Sequence, residues 1–425
     1  MSALRFLMLT TFYPPYNFGG DGIGIQRLSR GLVKRGHHVT VVHDADAYNL
    51  LRATPEPDVP MHDDDEGVEV IRLKSSVPML SAVLTQQLGR PVVNGRRLAR
   101  IVGDGRYDVV NFHNVSLLGG PGVLHYGGDA VTLYMAHEHW LVCPTHVLWR
   151  HNRELCTGRE CVKCTLAYRR PPQLWRGTGY LERELSHVDA IIAMSEFSRR
   201  KHREFGLTRE MEVLPYFLPD PEQEDAPQPV GATPHDRPYF FFVGRLEIIK
   251  GLQDVIPVFR RFPDADLLIA GDGNYMAPLQ QLAQGMPNVK FLGRVAPEAL
   301  RQYYQHALAL VVPSLCFETF GIVLIESFRQ GTPVIARRLG PFPEIVEQSG
   351  GGELFETQDE LLGAMRRLQQ DATYRAQRSR AGYRAYAERW SERVVIPQYL
   401  DIVRRAAARR ANSRVMDALA QAEVV

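Results

Sequence analysis

Two consecutive α/β domains, each a doubly wound parallel sheet with helices on both faces, are expected of this chain. Short apolar runs alternate with helical segments through the first half, and the same alternation restarts near residue 239. A Pro-rich, acidic stretch separates the two series. At 425 residues the chain is also longer than one ordinary core organises.

The first domain is placed at 1–216. Arg5 to Thr10 reads as a buried strand rather than a signal peptide, because Leu4 to Thr11 carries no basic leader and no cleavage site. The Gly-rich loop Tyr16 to Gly24 follows, then a helix from about Ile25 to Arg35 that Gly36 stops, then the strand His38–His43. Val68–Leu73, Asp108–Phe112, Val131–Met135 and Ala190–Met194 continue the strands, and the acidic run Asp63–Glu66 reads as a solvated loop. Residues 217–238, with Pro219, Pro221, Pro227, Pro229 and Pro234, read as a linker. The second domain is placed at 239–388, with strands Tyr239–Val243, Leu267–Ala270, Lys290–Leu292, Leu308–Val312 and Val334–Ala336. Ala372 to Ala411 reads as helices broken near Pro397, and 389–425 is expected to return to the first domain. Ligands of such domains bind at the carboxyl ends of the strands, which points to the cleft that two facing domains enclose.

Composition narrows the function. Hydrophobic content of 45% and charged content of 23% are those of a soluble globular protein, and a net charge of +2 gives no electrostatic case for nucleic acid. No run reaches the roughly twenty apolar residues of a membrane span. A cytoplasmic protein is expected, with peripheral contact at the inner membrane face left open.

The chemistry concentrates in the second half. Gly244 lets the chain turn after a strand, and Arg245 and Lys250, expected on the first turn of the next helix, offer a guanidinium and an ammonium to a diphosphate. Further on, Glu318 precedes a helix whose start holds Phe320, Gly321 and Ile322, where free amides and the helix dipole favour an anion. Glu326 falls near the middle of that helix. Two carboxylates able to grip hydroxyls, flanking a phosphate site, describe a ligand that joins a diphosphate to a polyhydroxyl group, which is a nucleotide sugar. In the first half, Gly19 and Gly20 permit close backbone approach, but no register of that loop gives the Gly-x-Gly-x-x-Gly fingerprint. Asp44 and Asp46 sit where a dinucleotide-binding acid would, yet without the fingerprint a nicotinamide oxidoreductase is set aside.

In order along the chain come Pro14-Pro15 with Gly19-Gly20, Arg35-Gly36-His37-His38-Val39, Asp108–Asn114, His137-Glu138-His139-Trp140, Gly244-Arg245 with Lys250-Gly251, and Gly271-Asp272-Gly273. Phe291-Leu292-Gly293, Glu318 to Glu326, Gly331–Ala336 and Trp390 complete the set. The set resembles the retaining glycosyltransferases of family four, whose GT-B fold has two Rossmann-like domains facing a central cleft. The resemblance implies that Arg245 and Lys250 neutralise the donor diphosphate and its leaving group. It implies that Glu318 faces the donor sugar, that Phe320, Gly321 and Ile322 give backbone contacts, and that Glu326 holds the ribose. His137 matches the histidine beside the transferred sugar, and the Gly19-Gly20 loop would approach the phosphates or the acceptor. No catalytic metal is implied, and Glu318 is not assigned as a nucleophile. The family more often has Asp where Glu138 stands. The acceptor, a hydroxyl compound often linked to a lipid, is expected on the first domain, in polysaccharide, glycolipid or glycosylated-metabolite synthesis. The mixed apolar and basic region 78–105, with Arg169-Arg170 and Trp175-Arg176, reads either as an acceptor or membrane-surface patch or as ordinary amphipathic helix. A GT-B epimerase or phosphorylase, or a non-catalytic nucleotide-sugar binding protein, are the alternatives.

Within an insertion at 140–165, Cys143, Cys156, Cys161 and Cys164 follow the spacing C-x12-C-x4-C-x2-C. In a reducing compartment such a cluster favours a structural metal, zinc first and an iron–sulfur cluster as the alternative. His146 or His151 could replace one thiolate. Cys316 stands apart and reads as a packing residue.

Overall fold

The structure is a computed structural model that describes residues 3–420 apart from 53–55, 224, 225, 228 and 230. The chain divides into two compact units, Met1–Tyr216 with Val395–Val425, and Phe217–Val394.

In the first unit the strands are β1 (Arg5–Leu9), β2 (His38–Asp44), β3 (His62–Asp65), β4 (Val68–Leu73), β5 (Val109–Phe112), β6 (Val131–Ala136), β7 (Trp149–Arg150), β8 (Glu154–Leu155), β9 (Ala190–Ala193) and β10 (Met211–Val213). Eight of them form one sheet in the order β10-β9-β6-β5-β1-β2-β4-β3, and β7 pairs with β8 in a separate hairpin. The central strands are apolar on both faces: Phe6, Leu7, Met8 and Leu9 are all fully buried, as a parallel strand between helix layers requires. The acidic run is not a loop. Asp63 to Asp65 lie in β3, the antiparallel edge strand, where one side can face water. There Asp65 accepts from Tyr13 Oη at 2.7 Å and Gln26 Nε2 at 2.9 Å, and it pairs with Arg30.

The Gly-rich segment also differs from expectation. The helix starts at Gly20, not near Ile25, and runs to Lys34 with Gly19 as its N-cap. Gly22 and Gly24 are buried in it. A Cβ on Gly24 would lie 2.4 Å from the Tyr216 ring, so this glycine serves close packing of a helix rather than a flexible loop.

In the second unit the strands are β11 (Tyr239–Val243), β12 (Asp266–Ala270), β13 (Val289–Gly293), β14 (Ala309–Val312), β15 (Val334–Arg337) and β16 (Gly352–Phe355). They make one sheet, parallel throughout, in the order β13-β12-β11-β14-β15-β16. Phe240, Phe242, Leu267, Ile269, Val311 and Ile335 face one core layer with Phe259 and Leu361. Residues 217–223 of the expected linker fall within this unit: the Leu218 amide donates to Trp390 O at 2.9 Å and Tyr383 Oη to Gln223 O at 2.5 Å. The linker residues 224, 225, 228 and 230, and the tail residues 421–425, lie outside the described residues.

The tail breaks at Trp390–Ser391, between helices Ala372–Arg389 and Glu392–Arg409, and not at Pro397. Pro397 sits inside the second helix, at the cost of the backbone bond its nitrogen cannot give. That helix is held in the first unit by the buried Tyr399, whose hydroxyl accepts from Asn111 Nδ2 at 3.2 Å, and by Arg409 on Glu212 at 2.7 Å.

Candidate active site

The second unit places its chemistry at a topological switch point. From β11 the chain steps outward to β12 and β13, then returns to lay β14, β15 and β16 on the other side. The loops leaving β11 and β14 therefore diverge at the carboxyl edge of the sheet, where open α/β sheets bind their ligands. The first loop holds Gly244, Arg245 and Lys250; the second holds Ser314 to Gly321.

The two loops are locked together. Gly251 adopts φ +77°, and a Cβ there would lie 2.0 Å from the carbonyl oxygen of Pro313. The Leu315 amide donates to Ile249 O at 2.7 Å. Lys250 ends a 3-10 turn, Ile248–Lys250, rather than occupying the first turn of an α-helix, which begins after Gly251 at Leu252. That tight turn directs Lys250 across the seam: its Nζ lies 2.6 Å from Glu318 Oε1, which also accepts from Ser314 Oγ at 3.1 Å.

Burial works against both charges, and the pairing outweighs it. Burial alone would raise the Glu318 carboxyl, but the Lys250 ammonium and the bonds from Lys250 and Ser314 hold it below the usual range. Burial likewise pulls Lys250 down, and Glu318 more than restores it, leaving its pKa raised. Cys316 is buried beside them, its thiol pushed up to about 12 by burial and then by Glu318, which makes it inert packing. Arg245 is 56% exposed and pairs with Glu247 at 2.7 Å.

Helix Ile322–Arg329 opens beside this pair with Gly321 as its N-cap at φ +105°. Phe320 is buried edge-on against Trp390. Glu326 lies within the helix, and Tyr304 Oη donates to it at 3.4 Å. The fold thus gathers Arg245, Lys250, Glu318, Phe320, Gly321, Ile322 and Glu326 onto one loop pair and the helix that follows.

In the first unit, His137 follows β6. Its Nε2 lies 2.9 Å from Nδ1 of His113, which follows β5, and the two rings stack with centroids 5.1 Å apart. Its Nδ1 lies 2.5 Å from Tyr216 Oη. Burial pulls His137 down to about 4, with Glu138 partly opposing, and pulls His113 well below the ordinary value. Both imidazoles are therefore neutral at pH 7, each with one N–H and one lone pair. His139 instead lies against His202, with ring centroids 5.2 Å apart. Glu138 bonds Asn114 and His146. Gly19 and Gly20 are exposed at the start of helix Gly20–Lys34. Asp44 caps the helix Ala45–Leu51 through the amides of Asp46 and Ala47, and Asp46 accepts from the Ser75 amide at 3.0 Å, so both acids serve the backbone.

The profile of "Glycosyltransferase Family 4" matches residues 18–220, and that of "Glycosyl transferases group 1" matches residues 224–387. This chain belongs to the family-four-like glycosyltransferases of the GT-B fold. Among similar sequences is a phosphatidyl-myo-inositol mannosyltransferase of Mycolicibacterium smegmatis, 29% identical over 391 residues that cover 89% of each chain. Among solved structures, sucrose-phosphate synthase from Thermosynechococcus elongatus shares the fold with a TM-score of 0.71 at 18% identity, covering 95% of this chain and 99% of that one. Anabaena HepE in complex with UDP and glucose has a TM-score of 0.62 at 17% identity, covering 94% and 99%.

The glycosyltransferase also brings its four clustered cysteines together. Cys143, Cys156, Cys161 and Cys164 line one pocket with Leu148, Trp149 and Phe205, and all five cysteines of the chain are free thiols. Among the described residues no group of three or more His, Cys, Asp or Glu side chains stands at metal-ligand spacing. Among them, too, no helix is long and apolar enough to cross a membrane.

Four residues have roles at these sites that the sequence alone assigns to none of them. Ser314 and Gly251 were legible in principle, since Pro313-Ser314 follows a buried strand and Gly251 follows Lys250. His113 and Tyr216 were not, because only sheet pairing brings residues 24 and 79 positions away onto His137.

Proposed function

We propose that this glycosyltransferase is a retaining enzyme that moves a hexosyl group from a nucleoside diphosphate sugar to a hydroxyl acceptor. The observation that carries the reading is the Lys250–Glu318 pair at the β11/β14 switch point, beside the N-terminus of helix Ile322–Arg329. Lys250 and Arg245 meet the donor diphosphate with charge-assisted bonds, and Lys250 is then shared between phosphate and Glu318. As the sugar–oxygen bond breaks, negative charge builds on the leaving diphosphate. The two cations and the amides of Phe320, Gly321 and Ile322 offset it without a dedicated metal. Glu318 accepts from hydroxyls of the donor sugar, and Glu326, steadied by Tyr304, accepts from the ribose. The acceptor hydroxyl attacks on the face the diphosphate leaves, and its proton passes to a phosphate oxygen. His113 holds Nε2 of the neutral His137, so His137 meets a sugar hydroxyl by exchanging the Tyr216 hydroxyl now on its Nδ1. The UDP and glucose bound in the HepE structure support the donor class.

For the acceptor we favour a lipid-linked hydroxyl compound. The helix Pro78–Leu88 leaves Met79, Leu80, Val83 and Leu88 exposed, an apolar face suited to a lipid carrier.

Incubation with a panel of nucleoside diphosphate hexoses and lipid-linked acceptors, followed by NMR of the product's anomeric proton, tests the reading. The expected product keeps the donor's anomeric configuration. An inverted product would overturn retention, and an epimerised donor with no transfer would replace this reading with an epimerase.

A further inference from the structure

We propose that Cys143, Cys156, Cys161 and Cys164 hold one zinc ion that pins the insertion to the end of β6. The four thiols come from three places: the turn after His139, the residue just past β8, and the first turn of helix Cys161–Ala167. Spacing of i and i+3 puts Cys161 and Cys164 on one face of that helix. All four nevertheless line a single pocket of about 20 Å³. That is room for about one water-sized sphere, which suits one ion.

The surroundings are those of a thiolate site. Four thiolates gathered round one small cavity repel one another, and a divalent cation between them reverses that penalty. The His151 amide donates to Cys164 Sγ at 3.3 Å, the outer-shell bond that a thiolate ligand accepts. The Arg176 guanidinium lies 4.7 Å from the Trp175 ring centroid and 5.3 Å from that of Trp140 and donates to Trp140 O at 2.8 Å, which fixes a positive charge on the backbone three residues before Cys143. An ion with four thiolates carries excess negative charge, and this guanidinium is placed to offset it. His146 is committed to Glu138 and His151 Nε2 faces Glu160 at 3.4 Å, which leaves the cysteines as the ligand set. Since no three candidates already stand at ligand spacing, the ion draws the thiols inward as it binds. The Cys143 amide donates to His139 O at 2.8 Å, so the site fixes the backbone two residues beyond His137.

Full-length protein purified with reductant and without chelator is analysed for metals by mass spectrometry. Its thiols are counted after denaturation, and its cobalt-reconstituted form is examined by absorption. The expected result is about one zinc per chain, released by a mercurial, with the sulfur-to-cobalt charge-transfer bands of a tetrahedral thiolate site. Cys161→Ser loses the zinc and lowers the melting temperature, while Cys316→Ser keeps the zinc. If Cys161→Ser does not fold, the wild-type metal content and cobalt spectrum decide alone. Three results would overturn the proposal: no zinc even after reconstitution under reducing conditions, iron with inorganic sulfide in its place, or a single titratable thiol, which means two disulfides.

Discussion

Lys250 carries the account at the scale of single residues, because its ammonium is held by the Glu318 carboxylate 2.6 Å away and is the group proposed to meet the donor diphosphate. Lys250→Ala is expected to cut transfer roughly a hundred- to a thousand-fold, the usual effect of losing one donor to developing negative charge. Steady-state rates with circular dichroism of the variant check this, since near-normal turnover in a folded variant removes the diphosphate role. Glu326→Ala is expected to weaken donor binding roughly tenfold, equivalent to about 1.4 kcal/mol of lost charged hydrogen bonding, with little change in turnover at saturation. Calorimetric titration with the donor measures it. The buried histidines set the acid limit of stability. Burial holds His43 at about 3 and His137 and His202 at about 4, all below the ordinary value of 6.5. As pH falls below 6.5 the unfolded chain binds protons that the folded chain refuses. The contribution of these groups is therefore complete above that pH and is lost between 6.5 and about 4 for His137 and His202, and down to about 3 for His43, by about 1.4 kcal/mol per depressed pKa unit and per group. Urea unfolding across that window should show the slope, and His137→Gln should flatten it.

Among elements, the helix Gly20–Lys34 shows why part of the fold was legible and part was not. The apolar run Tyr239–Val243 matched its strand, because a strand buried on both faces writes its whole length in apolar residues. The glycines at 22 and 24 looked like a loop because intrinsic propensity penalises glycine in helices, and the opposing Tyr216 ring lies far away in sequence. Gly24→Ala is accordingly expected to destabilise the protein by about 1–3 kcal/mol through overpacking, although alanine is the better helix former. A lowered urea midpoint would agree; a raised one would show that the ring yields. The acidic strand β3 was missed for the converse reason, since an edge strand needs no apolar stripe where its partners are Tyr13, Gln26 and Arg30. At the site, Lys250 and Glu318 were legible as residue types in an ordered motif. Their contact was not, because it depends on Gly251 letting one loop press against Pro313 of another.

For the whole molecule, each of the two α/β units has its own cluster of polar side chains at strand ends. The second has a switch point with cations, carboxylates and a helix N-terminus gathered on it. The first has neutral histidines at the ends of β5 and β6 and the cysteine insertion just beyond. The central claim is that the β11/β14 loops of the second unit bind a nucleoside diphosphate, and it can be tested before any acceptor is known. A ligand that binds only the folded chain must raise its melting temperature. The decisive measurement is the melting temperature of the wild type and of Lys250→Ala with UDP, GDP, ADP and dTDP, each with its common sugars. The account predicts a rise with one nucleoside diphosphate and its sugar in the wild type, lost or much reduced in Lys250→Ala. No rise with any of them, or an equal rise in the variant, would contradict it.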